Sequence, residues 1–125
     1  MKRLKISGQP GQGVQLLGSV LAEVLNQNGY QVALTSKYSP LVRKGESEVF
    51  LVYSKQLIAN PLVEKADLTY DLARYQSMVT PLNMHVLGII LKDLKLSLKP
   101  TQLKSILPPK NYSRNLKAIK AGFSE

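Results

Sequence analysis

Apolar and polar positions alternate first at Leu4 and Ile6, which predicts a short strand from Leu4 to Ser7. Gly8-Gln9-Pro10-Gly11-Gln12-Gly13 follows as a glycine-rich turn. Beyond it Val14, Leu16, Leu17, Val20, Leu21, Val24 and Leu25 recur at three- and four-residue intervals, the period of a helix packed along one face. Asn28-Gly29 ends that helix, glycine being suited to the left-handed position after a helical C-terminus. Val32 and Leu34 then alternate in a second strand, Tyr30 to Leu34. Strand, glycine turn, helix and strand in this order predict a βαβ unit with a parallel pair and a right-handed crossover. After a polar loop over 36–45, Ser47 to Ser54 reads as a strand whose near-continuous apolar run suits a sheet covered on both faces. Leu57 to Pro61 is a connector, and Ala66 to Tyr70 starts another strand, whereas residues 71–80 carry no clear pattern.

From Pro81 the chain turns helical. Met84, Val86, Leu87, Ile89, Ile90 and Leu91 predict a buried helix that opens at Pro81 and ends near Asp93. Pro100-Thr101 opens a second helix carrying Leu103, Ile106 and Leu107, stopped by Pro108-Pro109. Asn111 is placed to cap a third, with Leu116, Ile119 and Ala121 inward and Gly122 at its end. The expected fold class is α/β: a short, mostly parallel sheet flanked by helices, a Rossmann-like βαβ start with the glycine-rich turn, and a helical C-terminal part. One domain is expected over 1–125, with a sheet part at 1–70 and a helical part at 81–125.

Composition narrows the chemistry. The chain has 125 residues, 44% of them hydrophobic, which suits an ordinary packed core. It has no cysteine, which removes disulfides, thiolate metal sites, iron–sulfur ligation and cysteine nucleophiles. His85 is the single histidine; beside Met84 on an apolar helix, it reads as packing or capping rather than catalysis. Asp67 and Asp71 make no convincing acid pair, and no Ser-His-Asp arrangement is visible. The basic N-terminus is interrupted by the glycine turn before any signal-peptide apolar run, and no apolar stretch is long enough to cross a bilayer. A cytoplasmic protein is therefore expected. Net charge is +9, from 17 Lys and Arg against 8 Asp and Glu, which raises the prospect of an anionic partner.

Three features invite a ligand. Glycines between a strand and a helix N-terminus let an anion approach backbone N–H groups and the positive end of the helix. A P-loop needs Lys-Ser/Thr after its last glycine, but Gly13 is followed by Val14-Gln15. A dinucleotide fingerprint needs an acid after the second strand, where this chain has Thr35-Ser36-Lys37. ATPase, GTPase and dinucleotide roles are thereby disfavoured, and anion binding stands beside simple close helix–strand packing. The second feature is the loop holding Tyr38, Arg43 and Lys44, expected at the same carboxyl edge of the sheet, where α/β ligands bind. Its cations suit a phosphate or an acidic surface, and equally an ordinary solvated loop. The third is the basic tail from Lys92 onward; with only Tyr112 and Phe123 as aromatics, it reads as a solvated helix face before it reads as a nucleic-acid interface.

Several segments together resemble the gamma subunit of the 2-oxoacid (pyruvate/2-oxoglutarate):ferredoxin oxidoreductase family. They are Ile6 to Val14 with its Gly-Gln-Gly-Val turn, Leu21-Ala22-Glu23, Gly29, Tyr38-Ser39-Pro40 followed by Arg43-Lys44-Gly45, Ile58 to Pro61 and Ala66-Asp67. Asn83-Met84, Leu87-Gly88, Asn115 to Ala118 and Ala121-Gly122 continue the order to the end of the chain. The sequence departs from the family pattern at Pro10, Ser39 and Lys44, each standing where glycine is usual, and is shortened in the middle, between the Ala66-Asp67 strand and the Asn83-Met84 helix. The resemblance implies a subunit that is not catalytic alone, in a complex that decarboxylates a 2-oxoacid on thiamine diphosphate with Mg, passes electrons through Fe–S clusters to ferredoxin, and releases acyl-CoA. Its partners would be the alpha and beta (thiamine-binding) and ferredoxin-like subunits. By the same resemblance Gly11, Gln12, Gly13, Tyr38, Arg43 and Lys44 are the candidate binding positions, the turn shaping an interface or accepting an anion and the two cations facing a phosphate or carboxylate. The trimmed sheet would leave an exposed edge, from which a homo- or hetero-oligomer is expected. The alternative from another class is a stand-alone binding protein for a phosphate-bearing ligand.

Overall fold

The structure is a computed structural model that describes residues 1–9, 11–38, 47–58 and 65–125, with Lys37 and Tyr38 described by their backbone alone. It divides into two units, Met1–Ala73 and Arg74–Glu125. The first contains strand β1 (Lys2–Gly8), helix α1 (Val14–Gln27), and strands β2 (Gln31–Tyr38), β3 (Ser47–Ser54) and β4 (Leu68–Asp71). A 3-10 turn over Leu72–Arg74 leads into the second, which holds α2 (Leu82–Asp93), α3 (Pro100–Ile106) and α4 (Tyr112–Phe123).

The four strands form one mixed sheet in the order β2-β3-β1-β4. The α/β class is as expected, but the pairing of the first two strands is not. β1 and β2 run in the same direction with β3 between them, antiparallel to both, while β4 lies parallel to β1. One of the three pairings is therefore parallel, although three of the four strands share a direction. Residue patterning explains the insertion. Val49, Leu51, Val52 and Tyr53 of β3 are all buried and draw on both faces of the strand, as a central strand requires. β2 offers Gln31, Thr35 and Ser36, all exposed, and suits an edge. Leu34, expected inward, is 38% exposed because its strand lies at that edge.

α1 covers the face that carries Leu4, Ile6, Val49 and Leu51. Gly18 sits against Val49 and Leu34, where an added Cβ would come within 2.8 Å of Val49 Cγ1. Leu17, Val20, Leu21, Val24 and Leu25 are buried along the helix, while Leu16 is 38% exposed. The helix closes in a Schellman motif: Gly29, at φ 88°, donates to the Asn26 carbonyl at 3.0 Å, and the Tyr30 N–H reaches the Leu25 carbonyl at 3.0 Å. Asp67 extends the β1–β4 ladder, its Oδ2 accepting the Arg3 N–H at 2.8 Å and its own N–H donating to the Arg3 carbonyl. Asp71 Oδ1 accepts the Ala73 N–H at 3.1 Å. Both carboxylates thus serve the backbone.

In the second unit α2 is buried around most of its circumference, from Asn83 to Gly88 and at Ile90 and Leu91. α4 is amphipathic, burying Asn115, Ala118, Ile119 and Gly122. Two glycines set how closely these helices approach. A Cβ on Gly88 would collide with the Ile119 carbonyl oxygen, and one on Gly122 with the His85 carbonyl oxygen. Asn111 does precede α4, but it is left-handed (φ 64°) and its side chain makes no capping bond; its carbonyl receives the Asn115 N–H at 2.9 Å. α2 ends the same way as α1, with Lys95 at φ 60° in the left-handed position and the Leu96 N–H on the Leu91 carbonyl at 2.9 Å. No helix among the described residues is long and apolar enough to cross a membrane.

Candidate functional site

The site builds up from one row of the sheet. Gly8 closes β1 opposite Ser47 of β3, and Ser47 in turn lies opposite Tyr38, the last residue of β2. The glycine turn leaves the sheet at this row. Its Gln9–Gln12 segment is closed by the Gln12 N–H donating to the Gln9 carbonyl at 3.1 Å. The Gln12 side chain locks it further, Oε1 accepting the Gln9 N–H at 2.6 Å. Gly11 (φ 85°) and Gly13 (φ 76°) are both left-handed, which is why glycine is needed at these two places. Gly8 is required for a different reason: a Cβ there would come within 2.8 Å of Gln12 Oε1 and Val14 Cγ2.

Gly13 stands at the N-cap of α1, and the helical ladder begins with the Leu17 N–H on the Gly13 carbonyl at 3.0 Å. The amides of Val14, Gln15 and Leu16 precede that ladder and face the positive end of the helix dipole. Among the described residues no side chain caps this end, and no acid lies in the first turn. Among the described residues, a Cβ added to Gly11 would meet nothing within 4 Å. Those features fit a phosphate-sized anion.

Gln15 was not singled out by its sequence context, yet it organises the edge. Its Nε2 donates to Ser47 Oγ at 2.9 Å and its Oε1 accepts from Ser36 Oγ at 2.5 Å. The first turn of α1 is thereby tied to the strands on both sides of residues 39–46. A glutamine directly after the last glycine and valine, with serines flanking the polar loop, was the available signal. Of the positions expected to bind, Gly11, Gln12 and Gly13 come together in one turn, and the backbone of Tyr38 reaches the same edge. Arg43 and Lys44 lie outside the described residues.

Two other places gather polar groups. In the second unit the buried His85 ring joins Ser77 Oγ (Nδ1, 3.2 Å) and Glu125 Oε2 (Nε2, 3.0 Å). Ser77 Oγ also donates to the Val79 carbonyl and accepts the Val79 N–H, both at 3.0 Å. The hydroxyl is committed to a turn, so the histidine is a packing and tethering residue here, in line with its apolar setting. At the end of the sheet away from the glycine turn, Lys2, Tyr30, Tyr53 and Lys55 line an open cleft of about 510 Å³. Its rings meet edge to face at 5.0 Å, and the Lys55 ammonium covers Tyr30 at 4.1 Å while donating to the Asn28 carbonyl. Among the described residues no three His, Cys, Asp or Glu side chains converge as metal ligands do.

Comparison with known proteins bears on the same elements. The family model described as pyruvate ferredoxin/flavodoxin oxidoreductase matches residues 3–78, which hold all of the sheet but Lys2, together with α1 and the glycine turn. The keto/oxoacid ferredoxin oxidoreductase gamma subunit from Geobacter sulfurreducens is similar in structure, with a TM-score of 0.71 and 19% identity, over 99% of this chain and 97% of that one. A pyruvate oxidoreductase subunit from Thermotoga maritima gives a TM-score of 0.70 at 14% identity, over 99% and 96%. The 2-oxoglutarate:ferredoxin oxidoreductase from Magnetococcus marinus, solved with 2-oxoglutarate, coenzyme A and succinyl-CoA bound, gives 0.78 at 14% identity, over 98% of this chain and 30% of that one. No curated protein matches the sequence.

Proposed function

This chain belongs to the pyruvate ferredoxin/flavodoxin oxidoreductase family, and on that premise we propose that it is the gamma-type subunit of a 2-oxoacid:ferredoxin oxidoreductase complex, not catalytic alone. The observation that carries the reading is the end-to-end structural match with a gamma subunit and with a pyruvate oxidoreductase subunit that are themselves separate chains. The complex would use thiamine diphosphate, Mg, Fe–S clusters and CoA to decarboxylate the 2-oxoacid, carry off the electrons and accept the acyl group. With no cysteine, this chain supplies no thiolate to a cluster. Its own contribution is structural and electrostatic, in a cytoplasmic assembly with alpha and beta (thiamine-binding) and ferredoxin-like subunits.

Within that assembly the turn at Gly11, Gln12 and Gly13 shapes a subunit contact or receives an anion at the start of α1. Tyr38 ends β2, and Arg43 and Lys44 follow it in the sequence before β3; the two cations would neutralise a phosphate of CoA or a carboxylate of a neighbouring subunit. Gln15 ties the ends of β2 and β3 to the start of α1 through Ser36 and Ser47.

A tagged pull-down from native extract, with partners identified by mass, tests the assignment. Thiamine-binding and iron–sulfur subunits should co-purify in near-equal amounts. Recovery of the chain alone, or only with itself, would refute the subunit role and redirect the glycine turn to a screen of free phosphate-bearing ligands. In the recovered complex, an Arg43→Ala, Lys44→Ala variant should raise the KM for CoA with kcat little changed. If neither the KM nor the subunit stoichiometry moves, the two cations have no such role.

A further inference from the structure

Charge is distributed very unevenly along this chain. From Lys92 to the end there are eight Lys and Arg against two acids, Asp93 and Glu125. All eight cations are exposed. Glu125 is turned onto His85. On α4 the buried stripe Asn115, Ala118, Ile119 and Gly122 faces α2, and helical geometry puts Lys117 and Lys120 on the opposite ridge. Arg114 flanks them at the same three-residue spacing, and Lys110 precedes the helix. No acid occupies α4, so neighbouring like charges repel without relief and cost the helix stability. Solvated helix faces ordinarily intersperse both signs.

We propose that this ridge of α4 docks the acidic surface of a transiently bound protein. The residue types decide among anionic partners. Lysine is a strongly hydrated point charge, suited to long-range attraction, whereas phosphate recognition favours the arginine fork. The ridge has one arginine, and Arg114 already donates to Thr80 Oγ1 at 2.9 Å. No aromatic stands on it to stack a base. Ser113 and Ser124 share the ridge instead of large apolar groups, so nothing is offered for insertion into a lipid surface. The same lack of an apolar centre separates it from a permanent subunit interface and fits a small, fast, salt-sensitive encounter. The ridge belongs to this chain whether or not the chain joins the complex, so its test stands apart from the pull-down.

The experiment is an amide-resolved NMR titration of the full chain with a glutamate-rich peptide, alongside a short DNA duplex and phosphatidylserine vesicles. The peptide should perturb amides around Lys117 and Lys120 first, and its affinity should drop about tenfold from low to physiological salt. The Lys117→Glu, Lys120→Glu variant should lose about tenfold at low salt, and Lys92→Glu, Lys99→Glu, with the same change in net charge, less than about threefold. Spectra of each variant report that it is folded, and Lys117→Gln, Lys120→Gln gives a milder version of the same loss. Equal losses for both reversed pairs, perturbations spread over every lysine, absence of peptide binding at low salt, or tighter binding of DNA or vesicles would each overturn the proposal.

Discussion

Replacing Gly88 by alanine sets two physical effects against each other. Helix propensity alone favours the change, since alanine in a helix interior is better than glycine by about 1 kcal/mol. Packing opposes it. The new methyl would fall against the Ile119 carbonyl oxygen, 2.7 Å from the Phe123 nitrogen and 2.9 Å from the Ile119 carbonyl carbon. All three are backbone atoms of α4, so no side chain can swing aside. To restore a spacing of ~3.5 Å from that carbonyl oxygen the helices must part by about 1.5 Å, which loosens contacts along the whole seam. Overpacking of this kind costs ~3 kcal/mol at a site that cannot yield. The net loss is then about 2 kcal/mol, or a fall of about 1–2 M in the urea midpoint at an ordinary m-value. Gly122→Ala makes the reciprocal clash with the His85 carbonyl and should behave alike. The double variant should lose less than the two losses combined, because helices already separated accommodate both methyls. Gly18→Ala is the comparison: its new methyl would come within 2.8 Å of the buried Val49 side chain, which must shift but is not backbone, so its loss should be smaller than that of Gly88→Ala. A midpoint for Gly88→Ala equal to or above wild type would refute the close backbone approach of α2 and α4.

Three further outcomes follow from local geometry. Lys95 occupies a left-handed position that glycine adopts freely, so Lys95→Gly should stabilise by about 1 kcal/mol in the same urea assay; a loss would mean that its side chain contributes more than the backbone conformation costs. Burial, helped by neighbouring Tyr30 and Asp67, raises the Tyr53 hydroxyl above its usual 10.0. The folded state then holds that proton more tightly than the unfolded chain, so the contribution is present below pH 10 and lost as pH rises through the folded-state value; Tyr53→Phe should flatten the alkaline fall in unfolding free energy, and an unchanged slope would contradict this. Gln15→Ala removes the bonds to Ser36 and Ser47, and hydrogen exchange at those two amides should quicken several-fold while α2 and α4 are unaffected; unchanged exchange would show that strand pairing alone holds the ends of β2 and β3.

Much of the local structure was legible in the residues themselves. The three- and four-residue recurrence from Val14 to Leu25, the Asn28-Gly29 stop and the breaks at Pro81 and Pro100 mark helices that form where expected. These signals act over a turn or two, so the local chain suffices to specify them. The ordered motifs along the chain pointed to the family that the model match over 3–78 also identifies. Strand order was not legible. β1-α1-β2 reads as an adjacent parallel pair, and only the sheet shows β3 inserted between the two, because pairing depends on which strands bury both faces once assembled. The same holds for the meeting of Ser77, His85 and Glu125, eight and forty residues apart, and for Gln15 between two strands. Glycine identity at positions 88 and 122 was visible from the start; that each is needed for the other helix's backbone was decided only by the packing of α2 on α4. Sequence specified the elements, the glycine turn and the family. Tertiary structure decided strand neighbours, helix spacing and which polar groups share a site, since those rest on contacts between residues far apart in the chain.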